Sequence, residues 1–258
     1  MRTESFITLT APLRAVGGGR VWSLMISLFG DLAQAEGTAI DGPVLSAMMT
    51  LLEIKPEATR VALHRLRNDG WIKSDKVGRI SRHSLTEKGR AESAAATPRI
   101  YATPDDGSGG WQLVLLETVE DQSLARMGSL GFAPLAPRLF VGPADAAPPP
   151  DTLSLPGTTV PDWLRAQLHT ESLAIAYTDL AQTLKRLAAA LPGSDTMTPL
   201  QVAVLRGLIV HNWRRLVLKN PPLPLVLTDP AGPARQSHLM VADLLARFPR
   251  PALRDLIT

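Results

Sequence analysis

An α+β fold with helices at both ends is what the 258-residue sequence predicts. Three observations carry it. Apolar residues recur at helical spacing in three successive stretches before residue 70, short strand-like runs bounded by Gly and Pro occupy 71–85 and 111–157, and from Asp162 onward the periodicity is helical again.

Taken in order, RVWSLMISLFGDLA places Val21, Met25, Leu28 and Leu32 on one helical face, with GDL marking a break. In DGPVLSAMMTLLE, Asp41 is available as N-cap and Pro43 falls in the first turn, where its missing N–H costs nothing. Pro56 opens a third helix in which Thr59, Ala62, Leu63 and Leu66 share a face, turning Glu57, Arg60, Val61, His64 and Asn68 away from it; Gly70 ends it. WIKSDKVGRISRHSLT reads as two short strands around a Val-Gly-Arg turn, a basic hairpin. Three helices followed by such a hairpin predict a winged helix-turn-helix, with the third helix in the recognition position and the hairpin as the wing.

A helix begins behind Thr86, loses regularity at Pro98 and runs into a Gly/Ser/Asp-rich segment, which puts a boundary near 103–110. WQLVLLETV then reads as a buried strand, EDQSLARMGSLGF as a short helix, and APRLFVGP and DTLSLPG as further strands separated by APPP, together a small α+β domain. Beyond it, Leu173, Tyr177, Leu180, Leu184 and Leu187 line one helix and TPLQVAVLRGLIVHNWRRLVLKN forms another, stopped by PPLPL before a last helix, ARQSHLMVADLLARF. The predicted domains are 1–102, 103–165 and 166–258.

Composition narrows the function. The 45% apolar content is that of a globular chain, and zero cysteines remove disulfides, thiolate metal sites and cysteine nucleophiles. No apolar run approaches the roughly 20 residues of a membrane span, and the first residues lack the pattern of a secretory signal, so a cytoplasmic protein without membrane contact is expected. The net charge is only +3, yet Lys55 to Arg90 carries ten basic residues against four acidic ones, +6, leaving −3 for the remainder. Such asymmetry is expected of a polyanion-binding module, here double-stranded DNA. Arg60 and His64, one turn apart on the outer face of the third helix, are base-edge candidates, with Asn68 beside them; an arginine fork matches guanine O6 and N7. Arg65 lies toward the edge of that face and either joins them or bridges to an acid within the domain. Lys73, Lys76, Arg79 and Arg82 are phosphate candidates, which contribute salt-dependent affinity rather than sequence information.

The wording of these segments is more specific than their architecture. SLMISLFGDL, ATRVALHRLRNDGWI and SRHSLTEKGR running into RIYA resemble the PaaX family of repressors of phenylacetic acid catabolism, and the resemblance continues through GFAPLAPRLFVGP and HNWRRLVLKNPPLP. It implies a winged-helix domain, a ferredoxin-like (Cas2-like) middle domain and an all-α C-terminal domain. It further implies a homodimeric repressor of an aromatic-acid (phenylacetate-type) degradation operon that leaves a pseudo-palindromic operator when an acyl-CoA effector, phenylacetyl-CoA or a relative, binds. Arg60, Arg65 and Leu66 to Trp71 correspond to the family's recognition-helix pattern, and Arg99, Ile100 and Tyr101 to its post-wing signature.

For the effector, Arg214 and Arg215 (with Lys219 beyond them) offer phosphate contacts, while Trp213 and Tyr177 offer rings to an aromatic acyl group. The plainer readings are a basic helix terminus complementing its dipole and aromatics in the core. His211, among Leu208, Ile209 and Val210, reads as a satisfied core histidine. Enzyme signatures are thin: Gly17-Gly18-Gly19 lacks the spacing of a dinucleotide loop, and Gly128-Ser129-Leu130-Gly131 misses the nucleophile elbow by one position. A nuclease reading would need Mg²⁺ held by acids such as Glu117 or Asp121, and Glu171 after His169 makes no metal set alone. No catalytic residue, cofactor or metal is expected. The remaining alternative is an acyl-CoA- or nucleotide-responsive module with incidental DNA affinity.

Overall fold

The computed structural model describes residues 1–104, 109–120, 122–168, 170–220, 223–229 and 231–256; Asp121, His169, the centre of the Gly/Ser/Asp-rich segment and the first two prolines of PPLPL lie outside them. The chain packs as two compact units, one of Met1–Tyr101, Gln182–Arg214 and Met240–Thr258, the other of Ala102–Ala181 and Arg215–Leu239. The stretch 166–258 therefore contributes to both.

The first unit opens with a helix that the periodicity reading assigned to no element, α1 (Thr3–Gly17), whose Phe6, Thr10 and Leu13 are buried. The next helix, α2 (Val21–Leu32), takes in the whole predicted face and ends at Leu32, the last residue of Gly-Asp-Leu. Within that last turn Gly30 lies in ordinary contact with Ser93 and Asp31 is fully buried. A two-residue strand, β1 (Ile40–Asp41), also unforeseen, precedes α3 (Gly42–Leu51). Asp41 does sit at the α3 N-cap position, but its carboxylate makes no cap and takes Arg82 instead.

Helix α3 ends in a Schellman turn: Ile54 N–H donates to Met49 O at 2.9 Å, and the left-handed position is held by Glu53, φ +55°, where glycine is usual. Helix α4 (Pro56–Asn68) ends the same way, with Trp71 N–H donating to Leu66 O at 2.8 Å and Gly70 at φ +72°. Its buried residues, Thr59, Ala62 and Leu66, are three of the four of the predicted apolar face, and Leu63 is partly exposed.

Strands β2 (Ile72–Val77) and β3 (Ile80–Leu85) form an antiparallel hairpin with Gly78 at φ +62° as the first residue of a two-residue turn. β1 adds to the outer side of β3, so the sheet order is β1-β3-β2. Helix α5 (Glu87–Ile100) is capped by Thr86 Oγ1, which accepts from Gly89 N–H at 3.0 Å. It continues past Pro98, the expected breaking point, to Ile100, because the proline falls in the final turn.

In the second unit, β4 (Trp111–Leu116), α6 (Ser123–Ser129), β5 (Ala133–Ala136), β6 (Leu139–Pro143) and β7 (Thr152–Gly157) build a four-stranded antiparallel sheet of order β5-β6-β4-β7. One face packs Val114, Leu116, Phe132 and Phe140 with Met127 of α6. The other packs Trp111, Ala133 and Val141 with Leu164 of α7 (Asp162–Leu168) and with Leu227. Gln112 Nε2 donates to the carbonyls of Pro143, Ala144 and Ala146, tying the Ala/Pro-rich loop to the sheet. Helices α8 (Glu171–Ala190), α9 (Pro199–Val217) and α10 (Pro233–Arg247) complete the chain. Thirteen successive residues of α9, Gln201 to Trp213, are buried. At Gly207 a Cβ would run into Leu28 of α2, so glycine permits that helix to cross close.

Candidate nucleic-acid interface

The outer face of α4 is polar and solvated. Arg60 is exposed and meets only Glu57, also exposed, at 3.3 Å, an i,i+3 pair of small energetic weight that leaves the guanidinium available. One turn on, His64 and Asn68 are exposed and joined by a 3.3 Å hydrogen bond between Nδ1 and Nδ2. On the same outer face stands Val61, 69% exposed, more than any other large apolar side chain among the described residues. Arg65 makes the bridge to an acid that one reading of it expected. Its guanidinium lies 4.2 Å from the centre of the Trp22 ring and its Nε 3.4 Å from Asp69 Oδ2, yet the side chain is half exposed, held rather than hidden.

Behind α4, Lys73, Lys76 and Arg79 project from β2 and the hairpin turn as exposed cations. Arg82 is exposed too, but its Nε donates to Asp41 Oδ1 at 3.0 Å, fastening β3 to the start of α3. His83, the next residue of β3, is buried. Its Nδ1 meets Ser74 Oγ at 2.8 Å, and Arg67 Nη1 donates to the same hydroxyl at 3.4 Å, linking the last turn of α4 to the hairpin floor. Burial, and then the nearby Arg67 charge, hold the imidazole pKa below its usual value against a smaller opposing effect of Asp41. It contributes no charge to this surface at neutral pH.

The group that ties these elements to the rest of the first unit left no motif. Asp31 is fully buried and takes Arg206 in a fork, Nε to Oδ2 at 3.0 Å and Nη2 to Oδ1 at 2.9 Å. Tyr101 OH donates to Oδ1 at 2.7 Å, and Arg250 reaches it at 3.4 Å. Arg206 Nη1 also donates to the carbonyls of Leu245 and Phe248. Burial and the Asp31 charge push the Tyr101 phenol well above its usual range, so it stays a donor. Of the RIYA signature, Tyr101 thus binds the end of α2, and Ile100 O accepts from Trp213 Nε1 at 3.0 Å. The only legible trace was pairwise: one acid in an apolar helix, one arginine in another.

The effector candidates are distributed over both units. Trp213 is buried in the first, and half-buried Arg214 donates to Ser23 Oγ at 3.4 Å there, its pKa lowered by burial. Tyr177 is buried and Arg215 half-buried in the second. His211 is buried and satisfied, Nε2 donating to Gly17 O and Nδ1 accepting from Ser27 Oγ, each at 3.2 Å. Glu117 lines a cleft of about 160 Å³ with Glu120, Arg126 and Asp151, but among the described residues no three His, Cys, Asp or Glu are grouped to hold a metal. Nor, among them, is any helix long and apolar enough to cross a membrane.

Comparison with known proteins adds a family to this geometry. The model of the PaaX-like protein family matches residues 20–89, which hold α2 to the start of α5, and that of the PaaX-like protein C-terminal domain matches 168–255. The transcriptional repressor PaaX of Escherichia coli strain K12 is 29% identical over 227 residues, 78% of this chain and 72% of that one. Among solved structures, the uncharacterized protein Rv0674 from Mycobacterium tuberculosis matches with a TM-score of 0.51 at 18% identity, over 87% of this chain and 95% of that one, a likeness of fold alone. With both of its domain models matched in order and a repressor of the same name aligned over most of the chain, this protein belongs to the PaaX family.

Proposed function

We propose that the protein is a cytoplasmic, DNA-binding transcriptional repressor, not an enzyme, in which α2 to α4 and the β2–β3 hairpin act as a winged helix-turn-helix. The observation that carries the reading is the outer face of α4: Arg60, His64, Asn68 and Val61 are all exposed on a helix whose opposite face is core, next to a hairpin bearing Lys73, Lys76 and Arg79. Arg60 and His64 read base edges in the major groove, and Val61 supplies the apolar contact that a thymine methyl takes. Arg65, braced by Trp22 and Asp69, and the hairpin cations, Arg82 among them, take phosphates. The second unit is ferredoxin-like in this reading. Its strand order, β7-β4-β6-β5, is that of a βαββαβ sheet in which the 144–150 loop stands where the second helix would be.

The finer reading follows the family. The protein works as a homodimer on a pseudo-palindromic operator of a phenylacetate-type degradation operon, and an acyl-CoA such as phenylacetyl-CoA releases it by favouring a geometry that no longer matches the half-sites. Arg214 and Arg215 are its candidate phosphate contacts and Trp213 and Tyr177 its candidate acyl contacts. Footprinting over the DNA flanking the gene tests the main claim: a protected, dyad-symmetric site is expected, and uniform weak protection would leave only incidental DNA affinity. Calorimetry with phenylacetyl-CoA tests the effector, with Arg215→Ala expected to weaken binding about tenfold or more.

A further inference from the structure

We propose that a cleft in the first unit, between the α1–α2 loop, the α3–α4 turn and α9, binds a small organic anion with an apolar body. Its volume is about 310 Å³, at the lower end of the roughly 300–1,000 Å³ of small-molecule sites. That size suits a carboxylate of a few carbons and is too small for a coenzyme thioester. Three further observations set the chemistry.

The floor is apolar: Leu24, Leu52 and Leu208 line it and are buried, with Ile54 at one wall. The mouth is cationic. Arg20 is exposed at the N-cap of α2, whose first turn has no side-chain cap, and Arg14 lines the cleft with it, so two arginines stand against the single carboxylate of Glu53 among its lining residues. The third observation is strain at the wall. Glu53 occupies the left-handed position of the α3 Schellman turn, which costs a side-chain-bearing residue energy, and its carboxylate is tied to Arg14 Nη2 at 2.6 Å while Arg14 Nη1 donates to Leu51 O. A glycine there would relieve the backbone, and the sequence instead retains an acid aimed at the arginine of the cleft. The loop that closes the other side is Gly17-Gly18-Gly19: Gly18 needs φ +69°, and Gly17 lies against the His211 ring, where a Cβ would come within 3.1 Å. The three glycines that match no dinucleotide motif thus form the rim of this site.

Because Glu53 and Ile54 lead directly into α4, an occupant bears on the turn that sets the recognition helix; this consequence alone rests on the DNA reading above. The probe is hexanoate, with hexanamide as its uncharged counterpart, titrated into the DNA-free full chain and followed by amide resonances. Saturable shifts at Gly18, Leu24, Ile54 and Leu208 are expected with hexanoate, about tenfold weaker binding with hexanamide, and a similar loss in Arg20→Gln, whose exposed site makes a folding defect unexpected. Equal binding of acid and amide, unchanged affinity in Arg20→Gln, or shifts confined to other residues would overturn the site. Retention of an operator duplex is expected to change with hexanoate; unchanged retention removes the link to α4, and a chain that retains no duplex at all sinks the DNA reading while the titration stands.

Discussion

Helices α4 and α9 both carry arginines among apolar residues, ATRVALHRLRN in one and VAVLRGLIVHNWRR in the other, yet they use them oppositely. On α4 only three residues are buried, and Arg60 and Arg65 meet acids no more than one turn away, Glu57 and the C-cap Asp69, while staying open to solvent. On α9 thirteen residues in succession are buried, and Arg206 spends its donors on Asp31 and two backbone carbonyls. An exposed arginine with a weak partner keeps its charge for a polyanion. A buried one with every strong partner inside the protein is a fastening, and removing it strands a charge.

The largest expected effect tests the buried side of this contrast. Arg206→Met should lower folding stability by about 3–5 kcal/mol in a urea titration, because it leaves Asp31 buried without its main partner. The double replacement Asp31→Leu, Arg206→Met should recover much of that loss, since two apolar side chains strand nothing. A single variant within about 0.5 kcal/mol of wild type would mean that α9 holds its arginine as loosely as α4 does.

Next comes the exposed side. Arg60→Ala should leave stability within about 0.5 kcal/mol and cost roughly 1–3 kcal/mol on operator DNA, with little change on random duplex. Equal losses on both duplexes would reassign Arg60 to phosphate. Replacing Lys76 and Arg79 together should weaken both complexes and flatten the salt dependence of binding by about two units of slope. Val61→Ala should cost about 1 kcal/mol, and only where the site carries a thymine whose replacement by uracil costs wild type the same.

His83 sharpens the contrast from within the basic segment. Its pKa is depressed in the folded chain, so below the ordinary value of 6.5 the unfolded chain binds the proton first, and folding stability falls as the pH drops. His83→Gln should flatten that acid slope while leaving the salt dependence of DNA binding unchanged. A flattened salt slope instead would return His83 to the surface.

Periodicity and turn chemistry determined much of this protein on their own. The buried face of α4, its stop at Gly70, the hairpin around Gly78 and the strands β4, β6 and β7 are local consequences of where apolar residues and glycines fall, whereas β5 was not foreseen. The exposed residues of the candidate DNA face were legible for the same reason, since a helix with one buried stripe must turn the rest outward. What was missed is non-local. Asp31 and Arg206 lie 175 residues apart, and nothing near either shows that the acid at the end of α2 is buried and paired. β1 exists only because β3 is there to pair with it, and His83 is buried only because Ser74 and α3 cover it. The rim glycines 17–19 acquire meaning from α9 and from the turn at Glu53, which reach them through space and not along the chain. Sequence decides which face of an element is apolar; only tertiary packing decides what meets that face, and so which charges are left free to act.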